Sequence, residues 1–165
     1  MDRPESKNAL CTIPSDMTDF RFSLRLECFV AFLSAELEIT VGGENSNVSF
    51  SISQDGHESS YRGALDSVSS LRFHDRVVSA LKTYGADPSW EQAGLDGTQY
   101  SGSFQSAELA MGEFTFWSPE TGTPAHSLAC AAMEVIPPGH PDHSLEHGIR
   151  QVREDLRMRQ RNESS

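Results

Sequence analysis

The chain has 165 residues, 24 acidic against 13 basic side chains and a formal net charge of −11. Its 37% of hydrophobic residues is enough for one domain with a full-sized core and too much for a disordered chain. No lysine or arginine occurs between Lys82 and Arg150, where nine carboxylates fall; phosphate binding needs cations, so nucleic acid is not the expected ligand, and the same field would attract a basic protein, although charge alone is most simply a solubilising surface.

Residues 1–17 are polar and contain Pro4 and Pro14, which predicts a flexible arm with no apolar leader segment. From Phe20 the pattern alternates strictly. Phe20, Phe22, Leu24, Leu26, Cys28, Val30 and Phe32 face one way, and Arg21, Ser23, Arg25 and Glu27 the other, as in a half-buried strand. The register then slips by one: Ala35, Leu37, Ile39 and Val41 are apolar, and Ser34, Glu36, Glu38 and Thr40 polar. Either one long strand bulges near Leu33 or two strands meet through a short buried turn. The turn cluster from Gly42 to Asn47 predicts a hairpin into Val48, Phe50 and Ile52. Residues 54–70 read as a polar, irregular connection.

Phe73, Val77, Leu81 and Tyr84 have helical spacing, with Ser70 as the expected cap and Gly85 as the stop. Trp90 follows as an anchor on the core. Asp96-Gly97 is a turn dipeptide, and Thr98, Tyr100, Gly102 and Phe104 alternate after it. Phe114 and Phe116 mark the antiparallel partner, which Pro119 ends. Trp117, beside a helix-capping segment, is the candidate plug between sheet and helix. Thr123 and Pro124 open an apolar helix that Pro137 and Pro138 stop. Leu145, Ile149, Val152 and Leu156 form a narrow seam on a last helix, which must dock on the body or on another chain.

The expected fold class is therefore α+β: a single domain with a twisted, mostly antiparallel sheet packed on two helices, plus a C-terminal amphipathic helix. The expected division is an arm over 1–17, the domain over 18–137, and a linker with the final helix over 138–165. Three widely spaced cysteines form neither a disulfide framework nor a zinc motif. The longest apolar run, Cys28 to Leu33, is far short of a membrane span. Reduced thiols and a cytoplasmic location are the expectation.

No catalytic residue is assigned. A phosphatase of the Asp-x-Asp-x-Thr type uses the first Asp as its nucleophile, and Gly94 stands at that position ahead of Asp96 and Thr98. Asp96 and Gly97 are read as a structural turn, with Trp117 and Pro119 as its companions. His143 and His147 share a helix face, and His140 precedes them. They are the only candidate metal ligands, without an H-E-x-x-H pattern, and no cofactor is expected. Cys130 lies four residues after His126 in an apolar, anionic setting, which favours a core thiol over a thiolate.

The stretch from Leu95 to Thr98 with Tyr100, followed by Trp117-Ser118-Pro119 and an apolar helix, resembles a core found in small bacterial proteins. Those proteins read Leu-Asp-Gly-Thr-x-Trp/Tyr, a strand pair, Trp-Ser-Pro and a closing helix. The resemblance covers about residues 73–136. It implies an immunity-type protein that inhibits a toxin by binding it. The leading expectation is an acidic protein-binding module with a basic partner, contacted through exposed acids such as Glu91, Glu108, Glu113 and Glu120. The alternatives are a small enzyme or metal protein using His140, His143 and His147, or an accessory protein that forms a homodimer through its C-terminal helix. No membrane partner is expected.

Overall fold

Strict alternation over nine residues makes β1 (Phe20–Cys28) a strand with one apolar edge of side chains, and four more strands repeat the device. The computed structural model describes residues 20–28, 33–42, 45–84, 90, 97–107 and 109–162. β2 (Leu33–Val41), β3 (Ser46–Gln54) and β4 (His57–Leu65) follow as a meander. α1 (Ser67–Leu81) leads to β5 (Thr98–Ser106) and β6 (Ala110–Trp117), and then to α2 (Pro124–Glu134) and α3 (His143–Asn162). The sheet order is β4-β3-β2-β1-β5-β6, and every neighbouring pair is antiparallel.

The register slip resolves as two strands. Cys28 pairs with Leu33 and Leu26 with Ala35, so even-numbered residues of β1 meet odd-numbered residues of β2. Paired residues in an antiparallel ladder share a face, and both apolar sets therefore point into one core. The same parity change joins β2 to β3, where Leu37 meets Phe50. That turn is shorter than six residues: Asn45 N–H donates to the Gly42 carbonyl at 2.9 Å, and Ser46 already belongs to β3.

Residues 57–65 are not irregular; they form β4. Asp55 and Gly56 take positive φ values of 52° and 80°, the two-residue turn that suits the twist of a hairpin. β4 is an edge strand whose inward side chains, Ser59, Tyr61, Gly63 and Leu65, are only half buried. Weak burial demands few apolar residues, which hid its alternation.

The helices cover one face of the sheet. Phe73 of α1 meets Phe22 edge-on at 5.3 Å, and Trp90 meets Phe116 at 5.3 Å. The cap of α1 is Asp66, whose carboxylate accepts from Ser69 N–H at 2.9 Å. Ser70 is buried one turn further in, donating its hydroxyl to the Asp66 carbonyl. Thr123 caps α2 with Pro124 in its first turn, and Asp142 caps α3 through Ser144 and Leu145 N–H.

The seam of α3 docks on the body. Leu145, Ile149, Val152 and Leu156 are at most 5% exposed. Gly148 permits the approach, since a Cβ there would lie 2.0 Å from Ile52 Cδ1. Arg153 donates to the Met133 and Ile136 carbonyls, at 2.8 Å and 2.5 Å, satisfying the C-terminal end of α2 and tying α3 to it. Among the described residues, no helix is long and apolar enough to cross a membrane.

Candidate interaction face

With the three helices on one side, the other side of the sheet is open among the described residues. Its residues are those that alternate outward from the core, and the pairings arrange them in rows. One row runs Glu113, Ser103, Ser23, Glu38, Ser49, Arg62 across all six strands. The next runs Thr115, Ser101, Arg25, Glu36, Ser51, Ser60. Serine and threonine hydroxyls thus separate a few charges on a surface of short side chains.

Those charges are partly organised. Arg25 contacts Glu27 at 2.8 Å along its own strand and Glu36 at 3.9 Å across to β2. Ser23 and Ser103 join β1 to β5 by a 2.8 Å hydroxyl pair, and Ser103 N–H also donates to Ser23 Oγ. Arg21, Arg25 and Arg62 are opposed by Glu27, Glu36, Glu38, Glu58 and Glu113, so the face is net negative. Two adjoining depressions share Glu38. One, of 720 Å³, lies between Arg21, Thr40, Ser103 and Met111; the other, of 500 Å³, lies between Glu36, Ser49, Ser60 and Arg62.

Of the acids expected to face a partner, Glu113 is on this surface and exposed. Glu120 is exposed in the link to α2, where its carbonyl accepts from Thr123. Glu91, Glu108 and Asp96 lie outside the described residues. Three carboxylates of the acidic interval have local work. Glu134 pairs with Arg76, Asp142 caps α3, and Glu146 accepts from Gly139 and His140 N–H at 3.2 Å and 3.1 Å.

Gly97 is at the start of β5 with φ 137°, and a Cβ on it would lie 2.2 Å from Ser118 Oγ. That serine closes the β5–β6 ladder: its N–H donates to the Thr98 carbonyl at 2.8 Å, and its hydroxyl accepts from Thr98 N–H at 2.9 Å. Pro119 is buried just beyond. Trp117 does not plug the gap between sheet and helix. It pairs with Gln99 and alternates away from the buried Phe116, so it is half-buried towards the open face; Trp90 fills the inner position instead.

The histidines separate. His143 and His147 are exposed on α3, and His147 Nδ1 is 3.3 Å from Arg150 Nη2. His140 turns back onto β4, its ring 4.3 Å from that of Tyr61. Among the described residues, no three His, Cys, Asp or Glu side chains are placed to hold a metal ion. His126 and Cys130 do meet, with Cys130 Sγ 3.7 Å from the ring, but His126 Nε2 is engaged with the Leu156 carbonyl at 3.2 Å. Burial pushes the Cys130 thiol up, which keeps it protonated and poorly nucleophilic.

No family model, curated protein or solved structure matches the chain. The functional reading therefore rests on the surface itself. Alternation marks Arg21, Arg25, Glu36 and Glu38 as outward in the sequence, yet only strand order makes them neighbours.

Proposed function

We propose that the protein is an acidic protein-binding module that docks a basic protein on its open sheet face, and that it acts as an immunity-type inhibitor of a basic toxin. The observation that carries this reading is the six-stranded face left uncovered by all three helices, with five glutamates against three arginines. A surface of small hydroxyls costs little side-chain entropy to cover. Its charges can pair with a partner's lysines and arginines, and the chain's net charge of −11 steers that partner inward. Inhibition then comes from occluding the toxin rather than from chemistry.

The test pairs the chain with each strongly basic secreted domain encoded in the same genome, produced in inactivated form, and follows association by stopped flow at rising salt. One domain should bind, with an on-rate that falls steeply with ionic strength. Glu36→Lys and Glu38→Lys should slow association, whereas Glu120→Lys, off the face, should change it by less than about two-fold. Co-expression should protect cells from the active toxin. Failure of every basic domain to bind, or a salt-independent on-rate, refutes the reading.

A further inference from the structure

The two edges of the sheet are unequal. Along β4, Ser59 donates to Asp142 at 2.9 Å and Tyr61 packs on His140, so that the segment leading into α3 lies against the strand. β4 also carries Glu58 and Arg62. β6 is regular from Ala110 to Trp117, with no proline, lysine, arginine or bulge in its register against β5. Charged or proline-bearing edges discourage pairing with another chain, and β6 has only Glu113. It also carries Met111, 80% exposed, the highest value among the exposed large hydrophobic residues described.

The hydrogen-bond parity of β6 is readable. Ser118 N–H bonds to Thr98 across the ladder, and such bonds involve alternate residues of an antiparallel pair. Even-numbered residues of β6 therefore turn their backbone groups to β5. Met111, Glu113 and Thr115 turn theirs outward, where no described strand meets them.

We propose that β6 is a homodimer edge: a second copy of this chain pairs with it antiparallel about a two-fold axis at Phe114, making one continuous sheet. Chemistry selects this register. With the axis at Phe114, Glu113 lies opposite the partner's Thr115, so a hydroxyl can donate to the carboxylate, and this happens twice by symmetry. Met111 lies opposite the partner's Trp117, a sulfur–aromatic contact that covers the exposed thioether. Moving the axis to Glu113 sets two carboxylates face to face, which destabilises a cross-strand pair. Moving it to Thr115 leaves Met111 beyond the ladder. The dimer uses neither the seam of α3, which is buried within the chain, nor the centre of the open face. It joins two open faces into one.

Sedimentation velocity across a concentration series tests this. The wild-type chain should dimerise reversibly. Thr115→Glu places a carboxylate opposite the partner's Glu113, twice by symmetry, and should raise the dimer dissociation constant about ten-fold or more. Glu113→Lys combined with Thr115→Glu should restore dimerisation, because each new lysine then faces a new glutamate. Ser79→Glu, an equal charge change on the exposed side of α1, should leave it unaltered. Circular dichroism checks that each variant is folded. A monomeric wild type overturns the proposal, as does a Thr115→Glu chain that dimerises like wild type. Loss without rescue by the double variant overturns the register.

Discussion

Truncating Ile149 to alanine asks whether α3 is part of the folded unit. Ile149 is fully buried, beside the Gly148 contact with Ile52. The change removes three carbon groups at about 0.8 kcal/mol each, or about 2.4 kcal/mol of transfer free energy. The helix backbone cannot collapse into the gap, because Arg153 pins it to the end of α2. If half of a void of about 75 Å³ persists, the cavity adds about 1 kcal/mol. The expected loss is therefore about 3–4 kcal/mol, a large part of a typical domain's stability. In urea, a slope of about 2 kcal/mol/M converts this to a midpoint lowered by about 1.5–2 M. Arg150→Ala, one residue along and exposed, should change stability by less than about 0.5 kcal/mol. Circular dichroism at 222 nm (about 0.1 mg/ml protein) and tryptophan fluorescence should give one coincident transition. A loss below about 1 kcal/mol, or helix signal that melts before fluorescence changes, refutes the integration of α3.

Two further outcomes follow from the caps and the inner aromatic layer. Asp66 is held below its ordinary value by the Ser69 hydroxyl and N–H, and Asp142 by the Leu145 N–H and the Ser59 hydroxyl. A depressed folded pKa means that the stabilisation is present above the unfolded value, about 3.9, and is lost as pH falls through the folded one. Melting temperature should thus drop below about pH 4, and Asp66→Asn with Asp142→Asn should flatten that limb; an unchanged limb rules these caps out as its source. Phe116→Ala should cost about 3–5 kcal/mol, since its buried ring stacks on Tyr100 and meets Trp90 edge-on, whereas the half-exposed Trp117→Ala should cost less than about 2 kcal/mol in chemical denaturation. The reverse order would put Trp117 in the core.

Period-two alternation was legible in β1, β2, β3 and β5 because it is written into neighbouring residues and needs only one buried face. The Thr123-Pro124 start of α2 and the four-residue seam of α3 were legible for the same local reason. β4 was missed although Asp55-Gly56 marked its turn, because an edge strand with half-buried inward side chains can be built from Ser, Tyr and Gly. The cap of α1 was displaced from Ser70 to Asp66. Both residue types cap helices, and the choice depends on which serine the core buries. The spacing of His143 and His147 fixes them on one helix face, whereas His140 packs against Tyr61 of β4.

By itself, the sequence determined the acidic balance, the antiparallel α+β class, and which side of most strands is polar. Each of these is set by composition or by residues within one element. Only the tertiary structure decided that β5 inserts beside β1, that all three helices cover the same face, and that Arg25 and Glu36 come together on the other. It also decided which edge stays open, since the segment before α3 packs on β4 and no described strand borders the outer side of β6. These outcomes depend on contacts between residues far apart in the chain. There the burial of shared apolar faces selects the neighbours, and the polar residues of the open face are carried to their positions by the strands to which they belong.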